Sequence, residues 1–219
     1  MKINDRIEMI TNSSVNCYLV KGSKESVLID TGYYKDRKKL ADYLKDKNVK
    51  IILLTHGHID HIGGAKYIAD KYNAKIMMNV ADKEILTNND IRNVYSDSLL
   101  GSVIRRVSVR NFRRSHYDDI KIDSNISDGQ IIELGDISIK AAQLSGHTKG
   151  SYGFIFSDCF FVGDALMNMM KPSLSLIYEN KNEMLNSAKI IKEKKLDNIL
   201  PGHGKPFNIA KIRCEGFTI

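Results

Sequence analysis

The chain has 219 residues, of which 42% are hydrophobic, so it is long enough to bury one sizeable core and falls within the range of one large α/β domain. No run of apolar residues approaches the length of a membrane span, which excludes an integral membrane protein and predicts no membrane partner. The formal net charge of +7 favours anionic partners only weakly, because lysine is usually exposed on solvated surfaces.

The N-terminal segment and the cysteines bear on the cellular compartment. Residues 1–16 are polar and charged and lack the apolar centre of a secretory signal, so we expect a cytoplasmic protein. Cys17, Cys159 and Cys214 are odd in number, far apart and without a Cys-x-x-Cys pair. This pattern argues against a disulfide framework and against a cysteine-rich zinc site, and it predicts buried or unreactive thiols.

The first half of the sequence alternates short apolar runs with turn signals. Leu40, Ala41 and Leu44 recur at helical spacing, and the run that follows them is apolar on both faces, as in a buried strand. This order of helix and buried strand then repeats, which indicates α/β layering. The predicted elements are a β-hairpin over 17–20 and 26–30, a helix over 36–47, a strand over 51–54, a helix over 65–72 and a strand over 75–79.

The second half begins with a segment that is harder to interpret and then returns to clear strands. Residues 81–124 mix a short helical pattern with asparagines and arginines, and we predict a variable insertion or lid. No linker divides the chain, so a single domain over residues 1–219 is predicted. The later predicted elements are strands over 131–134, 137–143, 152–156 and 159–162, a helix over 182–194 and a strand over 198–200.

The placement of the histidines is the strongest functional signal. Five of the six histidines stand at predicted loop positions just after apolar runs, where rigid strands can aim side chains into one cleft. The sixth, His116, has no such setting and is interpreted as a surface or core residue. The five candidates are His56, His58, His61, His147 and His203.

The segment from Thr55 to His61 has the spacing of metal ligands. His56 and His58 stand two residues apart and project from the same side of an extended segment, so both imidazoles can bind one ion. Asp60 and His61 come where the chain turns into the next helix, and they can serve a second, adjacent ion. Such a run rarely arises by coincidence beside further candidate ligands.

Three further candidates follow predicted strands later in the chain. His147, Asp164 and His203 each have glycine neighbours, which permit tight turns and close backbone approach. An isolated aspartate such as Asp164 is more often a hairpin residue than a ligand. In series with the other motifs, it is predicted to be a ligand.

These motifs, in this order, resemble the metallo-β-lactamase superfamily, and the similarity extends over nearly the whole chain. It implies an α/β fold of the four-layer αββα sandwich type. It also implies a first metal bound by His56, His58 and His147 and a second bound by Asp60, His61 and His203, with Asp164 bridging them. Asp30, in the Leu28-Ile29-Asp30-Thr31-Gly32 turn, is then expected to be a structural residue near the site.

The ligand types indicate the cofactor and the chemistry. Histidine and carboxylate ligands without thiolates suit two divalent ions, with zinc as the first expectation and iron or manganese also suited. Water on such a pair has its pKa lowered from about 15.7 towards ~7, which supplies hydroxide at neutral pH. Asp60 is predicted to orient that water or carry its proton, in addition to binding metal.

The sequence leaves the substrate open. Residues 146–151 are most similar to thioesterases and lactonase-like members of the superfamily, of which glyoxalase II is the familiar type, and we expect hydrolysis of a small ester, thioester or lactone. The segment after His203 is too short for the helical C-terminal domain of glyoxalase II, so a glutathione-binding domain is not expected. The predicted partner is a small-molecule substrate, and the prediction includes anionic substrates.

Two features near the predicted site have competing interpretations. Arginines in the insertion can bind an anionic substrate or form a solvated helix face, and charge runs are usually solvated. Met167, Met169 and Met170 can line an apolar pocket, although methionines more often fill gaps in a core. The arginines are Arg105, Arg106, Arg110, Arg113 and Arg114.

Two other activities stay open at this point. The basic charge and a metal pair also suit a phosphodiesterase or ribonuclease, but the chain is short for added nucleic-acid-binding modules, so nucleic acid is not the expected partner. Some superfamily members resemble iron-dependent persulfide oxygenases and use part of the same ligand set. The oligomeric state is not indicated by the sequence.

Overall fold

The computed structural model describes residues 1–88, 93–114 and 118–211, without the side chains of residues 87–88, 111–114 and 211. His116 and Cys214 lie outside the described residues, as do the side chains of Arg113 and Arg114. Within the described residues, no helix combines the length and the hydropathy needed to cross a membrane.

The first half of the chain forms a mixed sheet. Its first three strands are antiparallel neighbours, and the next three are added in parallel, with helices in the crossover connections. The predicted hairpin over 17–20 and 26–30 is confirmed, and its strands are the second and third of this sheet. In spatial order the strands are β1 (Ile7–Asn12), β2 (Val15–Lys21), β3 (Ser26–Ile29), β4 (Val49–Leu53), β5 (Lys75–Met78) and β6 (Ser124–Asn125).

The second half forms another sheet and a small ribbon. The turns at Gly135 and Ser157 have positive φ angles of 56° and 57° and join antiparallel neighbours. In spatial order the strands are β7 (Ile131–Leu134), β8 (Ile137–Gln143), β9 (Tyr152–Phe156), β10 (Cys159–Gly163), β13 (Asn198–Pro201) and β14 (Phe207–Asn208), with β11 (Leu166–Met167) and β12 (Ser173–Leu174) forming the ribbon.

Helices cover the outer faces of both sheets. The predicted helices at 65–72 and near 36–47 and 182–194 are confirmed to within a few residues, and the predicted insertion contains two further helices and the edge strand β6. The helices are α1 (Arg37–Leu44), α2 (Ile59–Ile62), α3 (Ala65–Tyr72), α4 (Lys83–Asn88), α5 (Leu99–Arg114) and α6 (Lys181–Glu193), with 3-10 turns at Tyr34–Asp36, Val80–Asp82 and Ile209–Lys211.

Side-chain alternation along the strands divides the core into layers. In β2, Tyr18 packs between the two sheets while Leu19 packs outwards against the helices, as the two-residue period of a strand requires. Phe154 lies in the same central layer, and Phe160 of the second sheet packs outwards towards α6. The result is the predicted four-layer αββα sandwich.

Strand β1 is the main element that the sequence pattern did not reveal. Residues 7–12 look polar because Glu8, Thr11 and Asn12 interrupt the apolar side chains, yet they pair in full register with β2. Of the predicted thiols, Cys17 and Cys159 are free and buried, as expected.

We predict that the central layer dominates stability. Replacing Phe154 with alanine removes a fully buried ring between the sheets, and we expect a loss of about 3–5 kcal/mol in the free energy of unfolding. Urea unfolding monitored by circular dichroism measures this loss. The control is Ile131→Ala, which truncates a side chain of the same sheet that is 50% exposed, and equal losses in the two variants would contradict the layer assignment.

Candidate metal centre

The seven predicted ligands converge at one edge of the sandwich. The segment with the first histidines follows the carboxyl end of β4, and Asp164 and His203 follow the carboxyl ends of β10 and β13, which are parallel neighbours. His147 stands in the loop between β8 and β9. Because parallel strands end at the same edge, these loops meet there.

Three histidines form the first group. The Nδ1 atom of His58 lies 3.1 Å from Nε2 of His56 and 2.9 Å from Nε2 of His147, and all three residues are buried. Nitrogens about 2.0–2.1 Å from one tetrahedral ion lie roughly 3.3 Å apart. The three nitrogens therefore have close to the separation that one ion imposes.

The second group lies beside the first. The single turn of α2 carries Asp60 and His61, and His203 approaches from the opposite loop. Nε2 of His203 lies 3.2 Å from Oδ2 of Asp60, and Nε2 of His61 lies 3.9 Å from the same oxygen. These separations leave room for a shared cation among the three side chains.

Asp164 lies between the two groups. Its Oδ1 is 3.4 Å from Nε2 of His61, while its Oδ2 is 3.6 Å from Nε2 of His147 and 3.4 Å from Nε2 of His203. The carboxylate thus faces nitrogens of both groups, which is the position of a bridging ligand.

Two imidazoles are oriented by main-chain carbonyls. Nδ1 of His147 donates a hydrogen bond to the carbonyl of Ile177 at 2.9 Å, and Nδ1 of His203 donates to the carbonyl of Ser14 at 2.8 Å. Since a carbonyl only accepts, each Nδ1 carries the proton. In the neutral imidazole, each Nε2 is then an acceptor that faces the cluster, as metal binding requires.

Asp30 orients a third imidazole from outside the cluster. Its Oδ2 accepts hydrogen bonds from Nδ1 of His61 and from Oγ1 of Thr55, both at 2.8 Å, and its Oδ1 accepts from the Thr55 amide. The residue has a φ of 58°, a left-handed conformation that costs a non-glycine residue energy and often marks a functional site. The structure thus places Asp30 next to a candidate ligand, as expected of a structural residue near the site.

The electrostatics of the first group favour uncharged imidazoles. Burial lowers the pKa of His58 to about 3, with further repulsion from His147, and burial together with the neighbouring imidazoles lowers the pKa of His56 well below its usual value. Neutral imidazoles keep the lone pairs that bind a metal.

The electrostatics of the second group favour a positive charge near its carboxylates. Burial opposes the charged form of His203, but the carboxylates of Asp164 and Asp60 outweigh it and raise its pKa to about 10. Burial also opposes ionisation of Asp164, yet His203 and His61 hold its pKa well below the usual range. The buried Nε2 of His61 and Oδ1 of Asp164 have no hydrogen-bond partner of ordinary geometry. These residues fit divalent metal ions, which would satisfy the orphaned atoms and neutralise the carboxylates.

A buried aspartate that the sequence did not single out connects the two ligand loops. Asp82 accepts hydrogen bonds from the amide of Gly57 at 2.9 Å, from the amide of Gly150 at 2.8 Å and from Oγ1 of Thr148 at 2.6 Å. A Cβ at Gly150 would lie 2.6 Å from the Asp82 carboxyl carbon, which explains the glycine. The only sequence signal is an acidic residue in the turn after a buried parallel strand.

The loop at His203 also needs a glycine for close packing. A Cβ at Gly202 would collide with Oδ1 of Asp164 and with the ring of His61. The predicted role of the glycines beside the ligands is borne out at this position, because the absence of a side chain at Gly202 lets two loops approach each other closely.

A pocket of about 250 Å³ opens over the cluster. Its floor carries His58, Asp60, His147, Asp164 and His203, and Tyr33 is among the polar residues of its wall. The apolar residues of the wall come from four different segments. The apolar lining residues are Ile59, Ile104, Met167, Met169, Leu176 and Ile177.

The pocket changes the interpretation of the methionines. Met167 and Met169 line it, and Met170 is 93% exposed, so the favoured prediction that these residues fill gaps in a core is wrong. The segment follows Asp164 directly and runs along the mouth of the pocket instead of entering a packed layer.

The structure also separates the two interpretations of the arginines. Helix α5 turns Ile104 and Ser108 towards the pocket, and no arginine is among the pocket's lining residues in the described part of the chain. The solvated-face prediction is confirmed for the arginines whose side chains are described, while Arg113 and Arg114 lie beyond them. The exposed arginines are Arg105, Arg106 and Arg110.

Comparison with known proteins relates the sequence of this chain to a known family. A family model described as the metallo-beta-lactamase superfamily matches residues 10–203, which includes all seven candidate ligands. An uncharacterized protein of Mycobacterium tuberculosis is 30% identical over 213 residues, spanning 90% of this chain and 89% of the relative.

Two named relatives are more distant. The hydroxyacylglutathione hydrolase GloC of Haemophilus influenzae is 28% identical over 174 residues, covering 75% of this chain and 72% of its own length. The human acyl-coenzyme A thioesterase MBLAC2 is 26% identical over 227 residues, covering 92% of this chain and 77% of its own length.

Solved structures share the fold. The crystal structure of the BLEG-1 B3 metallo-β-lactamase aligns with a TM-score of 0.77 at 21% identity, covering 94% of this chain and 95% of that one. A metallo-β-lactamase family protein of Thermus thermophilus aligns with a TM-score of 0.73, also at 21% identity, covering 98% and 78%. At this level of identity the alignment supports the fold alone.

We predict that Asp82 acts through the ligand loops. In Asp82→Asn the side chain keeps its size, but its amide nitrogen cannot accept a hydrogen bond, so at least one of its three donors loses its acceptor. We expect zinc affinity to fall about 10–100-fold, measured by competition with a chromogenic chelator. The control, Asp42→Asn, removes an exposed charge on α1. Equal zinc affinity in both variants would refute the positioning role.

Proposed function

The chain belongs to the metallo-β-lactamase superfamily, and from this premise we propose that it hydrolyses small acyl esters, with thioesters as the preferred substrate class ahead of oxygen esters and lactones. Membership makes it a metallohydrolase, since superfamily members share that chemistry and the His and Asp clusters can hold metal. The substrate class is the part that the pocket and the relatives support.

The apolar pocket beside the cluster is the observation that carries the proposal. Six apolar side chains surround a space of about 250 Å³ directly above the candidate ligands. Such a wall desolvates and binds an aliphatic acyl group, while the cluster accepts the carbonyl end. A phosphodiester would bring a charged group against the same wall without a cationic side chain from the described part of α5, which faces the pocket with Ile104 and Ser108.

The names of two relatives point to the same bond. One is a hydroxyacylglutathione hydrolase and the other an acyl-coenzyme A thioesterase, and both names describe hydrolysis of a thioester. Their acyl carriers differ, so the similarity supports the class of bond and leaves the carrier to experiment. We therefore propose a thioester substrate without assigning its carrier.

The seven converging side chains are the proposed metal ligands. His56, His58 and His147 would hold one ion and Asp60, His61 and His203 the other, and Asp164 would contact both. Zinc is the proposed metal, because the donors are imidazole and carboxylate groups, although iron and manganese accept the same set. Bound divalent ions supply Lewis acidity, which activates water for attack and polarises the substrate carbonyl.

Two side chains of the pocket have proposed roles in handling protons. Asp60 lines the pocket, and although burial opposes its charge, His61 and His203 lower its pKa, so its carboxylate can accept a hydrogen bond from the attacking water. Burial and the nearby Asp60 raise the pKa of Tyr33 to about 12. The Tyr33 hydroxyl therefore keeps its proton and can donate a hydrogen bond to the substrate.

The first test combines metal analysis with a substrate panel. We predict about two zinc ions per chain after reconstitution, and faster turnover of an acyl thioester than of a lactone, a phosphodiester or a β-lactam. His147→Ala and Asp164→Ala are expected to lose bound zinc and all measurable turnover, because each removes a proposed ligand. Unchanged metal content and activity in both variants would refute the ligand assignment.

Two other results of the same experiment would replace the proposal. One iron ion per chain with oxygen consumption would favour a persulfide oxygenase, and phosphodiester cleavage as the fastest reaction would favour a nuclease.

A second test addresses the acyl pocket. Replacing Ile104 with tryptophan puts a larger ring into the pocket, so we predict that KM for a medium-chain acyl thioester rises about tenfold while acetyl thioester turnover stays within about twofold. The matched control is Val103→Trp, which adds the same ring one residue away at a side chain that is 57% exposed. Equal effects of the two substitutions on both substrates would show that Ile104 does not contact the acyl chain.

A further inference from the structure

Helix α5 leaves apolar side chains uncovered. Among the described residues, six of the eleven large hydrophobic side chains that are exposed come from this helix and from the short segment at 169–170. Single exposed hydrophobic residues are ordinary, but a cluster of this kind usually marks a contact surface. The outer α5 face is defined by Leu99, Leu100, Val103, Val107, Met169 and Met170, of which Leu99 and Met170 are 90% and 93% exposed.

The pocket does not account for this exposure. The side of α5 that faces the pocket carries Ile104 and Ser108, whereas Val103 and Val107 remain more than half exposed. Met169 borders the same pocket, and its neighbour Met170 is 93% exposed. The outer α5 face therefore lies beside the pocket mouth and is a surface of its own.

Cationic side chains stand among these apolar ones. Arg106, Arg110 and Lys171 are exposed, and the sequence of α5 contains five arginines and no acidic residue. The nearest acidic group at the start of the helix, Asp97, is paired with Lys181 at 2.8 Å. The surface is thus both apolar and strongly positive.

We propose that the outer α5 face binds peripherally to an anionic lipid bilayer. A helix with exposed apolar residues and arginines suits the interface of a bilayer, where the apolar side chains enter the acyl region and the arginines remain among the headgroups. Anionic headgroups attract each nearby basic residue, so the charge of α5 is complementary to such a surface. Binding in this way requires no spanning helix, and it departs from the sequence-based prediction of no membrane partner.

Other occupants fit these side chains less well. A symmetric contact between two copies would bring Arg106 and Arg110 of one α5 helix towards the same residues of the other, and like charges at an interface oppose association. Nucleic acid would match the charge but would leave the exposed leucine, valine and methionine side chains facing phosphates. A bilayer satisfies the apolar and the cationic side chains at once.

Vesicle binding of the full chain tests the proposal without reference to activity. We expect the protein to cosediment with phosphatidylcholine vesicles that contain about one third phosphatidylglycerol, and to remain in solution with phosphatidylcholine alone. Salt at about 1 M, where the screening length is ~3 Å, should weaken this binding. Failure to bind the anionic vesicles in preference to the neutral ones would overturn the proposal.

Paired substitutions test whether the outer α5 face is the part of the protein that binds the vesicles. We expect Arg106→Glu with Arg110→Glu to lower the partition coefficient at least about tenfold, and Val103→Ser with Val107→Ser to lower it several-fold. The matched control is Lys38→Glu with Lys39→Glu, the same change of charge at exposed positions on α1, which should stay within about twofold. Equal loss in the control would mean attraction by net charge alone and would overturn the assignment.

Sedimentation velocity separates lipid binding from self-association. The proposal expects the same sedimentation coefficient for the wild type and for Val103→Ser with Val107→Ser in the absence of vesicles. A wild-type dimer that dissociates in this variant would identify the outer α5 face as a contact between copies and would overturn the bilayer proposal. Circular dichroism of each variant checks that the fold is retained.

Discussion

The convergence of lone pairs on one point is the constraint on which the rest of the structure depends. Five imidazoles and two carboxylates are gathered at one edge of the sandwich, with ring nitrogens 2.9 and 3.1 Å apart. Gathering these groups away from water is costly, because each buried polar group loses its hydration and needs a partner. The surrounding structure must therefore hold these groups in place, and much of the fold near the site can be understood as doing so.

The supporting interactions come from residues that are not candidate metal ligands. Asp30 holds the ring of His61 while keeping a left-handed backbone, and Asp82 joins the two loops that carry His56 and His147. Main-chain carbonyls orient further rings. Because the loops start at the carboxyl ends of strands from both sheets, the packing of the sandwich sets their distance from one another. Packing of the central layer therefore contributes both to the stability of the fold and to the geometry of the site.

Helix α5 links the site to the exterior of the molecule. One side of it completes the pocket with Ile104 and Ser108, and the other side carries exposed apolar and basic residues. The proposed hydrolysis of an acyl thioester uses the first side, and the proposed contact with an anionic bilayer uses the second. The two proposals share only Met169 and are tested by different variants, so either can fail without the other.

The sequence by itself determined the ligand types, their order and most of the strands and helices that carry them. His56 and His58 were recognisable because their spacing is local, and α3 because its apolar residues follow the helical period. Tertiary structure alone decided that Asp82 joins two loops and that Met167 lines a pocket instead of filling a core. It also decided that β1 is a strand, since its pairing with β2 outweighs its polar composition. The physical reason is range: spacing and periodicity act between near neighbours in the chain, whereas bridging, burial and pairing depend on residues brought together from distant segments.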